Sequence, residues 1–92
     1  MNNTITQTIM FCIKEFIQDK KLSEIKTFYE VLGFDGVYTT DDSYLDYFVS
    51  DLYLDEMVNE KLSENRDLFL NKLKNETRVS GIWARYEELI LL

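Results

Sequence analysis

Apolar residues recur along most of this chain at the three- and four-residue spacing of one helical face. Ile5, Ile9, Cys12, Ile13, Phe16 and Ile17 make the first stripe and predict a helix over residues 4–19. Thr4 is its candidate cap, with Gln7 three residues on to complete a capping box. A second stripe, Ile25, Phe28, Tyr29 and Leu32, predicts a helix over residues 24–32 with Ser23 as cap. Gly33 then suits the left-handed position that ends many helices, and Phe34 would fold back onto Tyr29. Asp35-Gly36 is a turn signal, and Val37-Tyr38-Thr39 reads as extended loop or a very short strand.

Thr39 or Thr40 can start a third helix, with Asp41 and Asp42 in its first turn and Leu45, Phe48, Val49 and Leu52 as its inner stripe. The phase then shifts, because Leu54, Met57, Val58 and Leu62 belong to another face. A break or kink is therefore expected near Ser50, which can cap a fresh helix. Ser63 is the cap expected for residues 64–75, with Leu68, Phe69 and Leu73 inward and Arg66, Lys72 and Lys74 outward. Residues 75–80 connect to a last helix after Gly81, in which Ile82, Trp83, Tyr86, Leu89 and Ile90 keep helical spacing and Arg85 pairs with Glu88. The terminal ELILL could instead be a strand, with residues 37–39 as its partner in a marginal two-stranded sheet. The fold predicted is all-α, a compact bundle of five or six short helices in a single domain spanning residues 1–92. The minor β element is the alternative to helix at the C-terminus.

Composition agrees with this pattern. The 92 residues include no proline and three glycines, so helix breakers are few. An apolar fraction of 46% marks a chain that folds. Cys12 is the single cysteine and histidine is absent, which rules out an internal disulfide and the common zinc sets within one chain. The N-terminal residues lack the basic region and cleavage site of a secretion signal. The longest apolar run there, residues 9–13, falls far short of the roughly 20 residues a membrane span needs. A soluble, cytoplasmic protein without cofactor, metal or membrane contact is expected.

Charge changes the picture more. Residues 27–60 contain no lysine or arginine but hold nine carboxylates: Glu30, Asp35, Asp41, Asp42, Asp46, Asp51, Asp55, Glu56 and Glu60. The remaining residues carry ten bases against eight acids, so the whole-chain charge of −7 is −9 from this stretch and +2 from the rest. Tyr29, Tyr38, Tyr44, Tyr47 and Tyr53, five of the six tyrosines, share the same stretch.

Candidate chemistry adds little. The serines at positions 23, 43, 50, 63 and 80 mostly stand where a helix begins, a capping role, and no nucleophile or phosphate-loop motif occurs. Asp42 with Asp46, and Asp51 with Asp55, are carboxylate pairs at helical spacing, but a solvated acidic face explains them and the EF-hand pattern fails. An isoelectric point near 4.4 opposes direct binding of nucleic acid or of anionic membranes. Protein recognition remains, since tyrosines bury area while keeping a polar tip and carboxylates steer a basic partner.

The expected contact residues are Asp42, Tyr44, Asp46, Tyr47, Asp51, Tyr53, Asp55 and Glu56, on two adjoining faces around a corner at Ser50. The function expected is a non-enzymatic inhibitor, phage- or plasmid-encoded, of a basic nucleic-acid-binding defence protein, of anti-CRISPR or antirestriction type with a DNA-mimic surface. An immunity protein or antitoxin against one toxin, or a homodimeric regulatory module meeting its copy through residues 83–90, are the alternatives. Charge reversal of Asp42 and Asp46 to lysine is expected to abolish binding while leaving the bundle folded.

Overall fold

The computed structural model describes residues 4–91, and among these every regular element is helical. The order is α1 (Thr4–Ile17), α2 (Leu22–Leu32), a 3₁₀ turn (Asp42–Tyr44), α3 (Leu45–Phe48), α4 (Asp51–Thr77) and α5 (Ile82–Leu91). The all-α expectation holds. The minor β element does not: residues 37–39 are irregular loop, and the C-terminal residues continue α5 up to Leu91.

α1 packs against α4 and α5, and α2 against α4. Ile9, Cys12, Ile13 and Ile17 of α1 are buried with Leu22, Ile25, Phe28, Tyr29 and Leu32 of α2. Leu54, Val58, Phe69 and Leu73 of α4, with Trp83 and Ile90 of α5, belong to the same cluster. Polar groups stitch α1 to α5: Glu15 accepts the Tyr86 hydroxyl at 2.7 Å and pairs with Arg85. Arg85 therefore serves a contact between helices, in place of the local pair with Glu88 expected from spacing.

Helix ends follow the sequence with small displacements. α1 begins with Thr4 already inside it, so its cap position falls outside the described residues. α2 starts at Leu22, one residue ahead of the predicted cap Ser23, because Lys21 takes the extended cap conformation and its N–H donates to Glu24 at 3.1 Å. Its C-terminus closes as predicted. Gly33 is left-handed at φ 81°, its N–H donates to the Glu30 carbonyl, and the Phe34 N–H reaches back to Tyr29 at 2.9 Å. The Phe34 ring lies 5.0 Å from that of Tyr29, the apolar contact that accompanies this closure.

α4 runs through the cap predicted at Ser63 and breaks two residues later. Asn65 leaves helical geometry (φ −162°, ψ 89°) and its side chain accepts the Leu68 N–H at 3.2 Å, the same capping geometry from a different residue. Shifting the start in this way turns Leu68 outward, where inward packing was expected, and buries Leu70.

Candidate functional site

The corner at Ser50 organises the acidic stretch. The Ser50 hydroxyl donates to the Tyr47 carbonyl at 2.6 Å and accepts the Tyr53 N–H at 3.2 Å, so one side chain closes α3 and opens α4. The chain restarts its helical phase there. Leu52, expected on the inner stripe of α3, is 73% exposed, while Tyr53 is only 3% exposed and joins the core. This corrects the place given to Tyr53. Its hydroxyl donates to the Asp35 carbonyl at 2.7 Å, and its ring stacks at 5.6 Å on Tyr29.

Tyr29 makes the matching tie. Its hydroxyl donates to the Phe48 carbonyl at 2.7 Å and fixes α3 against α2. Burial, with Tyr53 as neighbour, pushes the Tyr29 phenol well above its ordinary range. Asp35 is held twice, since its N–H also points to the Met57 sulfur at 3.5 Å. The next residue, Gly36, turns the loop at φ 88°, a conformation that side chains disfavour.

These ties shape a groove of about 490 Å³. Phe48, Tyr53 and Met57 line it with Tyr38, Tyr44 and Tyr47, and its acids are Asp35 and Glu56. Tyr38, Tyr44 and Tyr47 are 75%, 45% and 50% exposed. Phe48 meets Tyr38, Tyr47 and Tyr53 near edge-on, at interplanar angles of 79°, 74° and 84°. Of the predicted contact residues, the fold brings Tyr44, Tyr47, Tyr53 and Glu56 together here. Tyr38 and Asp35 belong with them and were missed. Both lie in irregular loop, where no periodicity assigns a face, and their signal was membership in the base-free acidic stretch.

The other predicted acids go elsewhere. Asp42 accepts the Leu22 N–H at 2.9 Å and so caps α2, placing its charge at that helix's positive end. Asp41 caps the 3₁₀ turn; hydrogen bonds from the Ser43 N–H and then its hydroxyl hold its carboxyl below the usual range. Asp51 pairs with Lys14 of α1 and shares a second concavity with Asp55, Gln7, Met10 and Phe11. Asp46 lines a third concavity that Lys14 and Lys20 also line. Two of the three acidic regions thus contain a base. The groove does not.

The Asp42 contact alters one expectation directly. Reversing its charge sets a cation against a helix N-terminus and removes a cap, so the Asp42 and Asp46 double reversal is no longer a change neutral to folding. Asp42→Ala is expected to lower stability by about 0.5–2 kcal/mol. Urea denaturation checks this through a lower midpoint at unchanged slope.

Among the described residues no group of three or more acids, cysteines or histidines is placed to hold a metal ion, and no helix is long and apolar enough to cross a membrane. No protein-family model, curated protein or solved structure matches the chain.

Proposed function

We propose that this protein is a non-enzymatic, protein-binding inhibitor that acts in the cytoplasm on a basic, nucleic-acid-handling partner. A defence nuclease of restriction or CRISPR type, met by a phage- or plasmid-encoded antagonist, has the required chemistry. The observation that carries the reading is the groove between Tyr38, Tyr44, Tyr47 and Glu56, aromatic and acidic with no base in its lining. Exposed aromatic residues together with single-sign charge suit a hot spot that a positively charged surface approaches by long-range attraction.

The fold narrows the DNA-mimic idea. A continuous row of free carboxylates is not what the corner offers, since Asp42 caps a helix and Asp51 is paired with Lys14. The proposed contact therefore rests on tyrosine packing, with Asp35 and Glu56 supplying charge at its rim. The test is binding of purified basic nucleases to the immobilised chain across a salt series. Association should slow at least tenfold between low and physiological salt. Glu56→Lys should weaken the complex at least tenfold, since a cation then meets the partner's own, with no change in the circular dichroism of the chain. Affinity indifferent to salt and to Glu56 would sink the reading.

A further inference from the structure

We propose that the groove is an arginine receptor: a guanidinium from the basic partner enters the groove against its exposed tyrosines and is held by Asp35 and Glu56. The inference rests on the protein-binding reading above and names the chemical group that the surface takes.

The walls favour a flat cation. Tyr47 and Tyr53 both stand near edge-on to Phe48, with centroids 5.0 and 5.1 Å from it, and Tyr38 lies 6.3 Å from Tyr44. Aromatic rings carry a negative quadrupole that draws cations, and Tyr38, Tyr44 and Tyr47 are the exposed rings of the lining. The rim adds the full charges of Asp35 and Glu56. Asp35 is fixed through its backbone on both sides, by Tyr53 and by Met57, so its carboxylate leaves from an anchored point.

The groove is also poor for the opposite charge. The Tyr53 hydroxyl is engaged with the Asp35 carbonyl and is not offered to a ligand. Burial chiefly, then the neighbours Tyr47, Asp35, Glu56 and Glu60, push that phenol well above its ordinary range. A phosphate or carboxylate would enter against the charges of Asp35 and Glu56, with no base in the lining to offset them.

Arginine fits better than lysine for reasons of shape. Its guanidinium stacks on an aromatic face and presents a fork of donors that matches a carboxylate, whereas an ammonium is compact and strongly hydrated. The volume of about 490 Å³ exceeds what one side chain needs and lies within the roughly 300–1,000 Å³ of ligand sites, so flanking residues of the partner have room.

The experiment titrates the whole chain with a short capped arginine-glycine peptide and with its lysine, trimethyl-lysine and citrulline counterparts, followed by amide chemical shifts. The arginine peptide should move the signals of Tyr38, Tyr44, Tyr47 and Glu56, bind about tenfold more tightly than the lysine peptide, and lose binding as citrulline. Tyr38→Ala and Glu56→Gln alter exposed side chains, so the bundle stays folded; each should weaken the arginine peptide about three- to tenfold. Equal affinity for arginine and lysine, shifts centred on Asp51 and Asp55, or both variants binding like the parent overturns the assignment. A trimethyl-lysine peptide that binds more tightly than arginine overturns it too. Failure with arginine peptides, while basic nucleases still bind with steep salt dependence, removes this inference and leaves the protein-binding reading standing.

Discussion

Tyr29→Ala is expected to destabilise the protein by about 3–5 kcal/mol, the range for emptying a large aromatic site in a core. Tyr29 is fully buried, with the rings of Phe34 and Tyr53 at 5.0 and 5.6 Å and that of Phe28 at 5.9 Å. Its removal leaves a cavity at the point where α2, α3 and the start of α4 meet. It also strands the Phe48 carbonyl, which accepts the phenol hydrogen bond at 2.7 Å. Domains of this kind have total stabilities of about 5–15 kcal/mol, so the variant keeps only part of its folded population under mild denaturant.

The two contributions separate with Tyr29→Phe. That variant keeps the ring and loses the hydroxyl, and is expected to cost about 1–3 kcal/mol for the unpaired carbonyl. Urea denaturation of the parent and both variants measures the pair. Because Phe48 lines the groove, the alanine variant should also blur the amide signals of Tyr47 and Tyr53 while leaving those of α5 sharp. A loss below about 1 kcal/mol for Tyr29→Ala would contradict the packing of α2 on α3.

What could be read from the chain, and what could not, divides by sequence distance. The stripe of α1, the left-handed Gly33 with Phe34 folded onto Tyr29, and the break at Ser50 all depend on residues a few positions apart. Propensity and capping chemistry specify such features locally. Asp42 capping α2 across 20 positions, Lys14 meeting Asp51 across 37, and Glu15 meeting Arg85 across 70 depend on how helices dock, which no local pattern contains. Leu52 shows a subtler failure. Its spacing from Leu45, Phe48 and Val49 continues one stripe, but the restart at Ser50 rotates the following residues, and the inward positions pass to Tyr53 and Leu54. The expected break was right, while the stripe drawn across it was not. Asn65 in place of Ser63 has a similar origin, since asparagine and serine cap about equally well and only packing chooses between them.

Alkaline pH is expected to destabilise this protein steeply, through groups whose protons the fold retains. Desolvation raises the Cys12 thiol from 9.0 to about 11, against smaller opposing effects of a Thr77 hydrogen bond and of Arg85. Burial raises Tyr29 and Tyr53 above the ordinary 10.0. In the unfolded chain the thiol ionises near 9.0 and the phenols near 10.0, while the folded chain keeps all three protonated there. The folded state then binds more protons, so stability must fall as pH rises, by about 1.4 kcal/mol per pH unit for each such group. Cys12 alone removes about 2–3 kcal/mol between pH 9 and pH 11, and Tyr29 adds about 1.4 kcal/mol over the upper half of that interval. Urea midpoints should hold level from neutrality to about pH 9 and then drop steeply, losing a large share of a domain's usual stability by about pH 11. Cys12→Ala should flatten the first part of the fall, and Tyr29→Phe only the part above about pH 10, each starting from a lower midpoint at neutral pH. Midpoints level to about pH 11 in the parent would mean that the thiol and the phenols ionise inside the folded protein, which the dry packing around Cys12 and Tyr29 opposes.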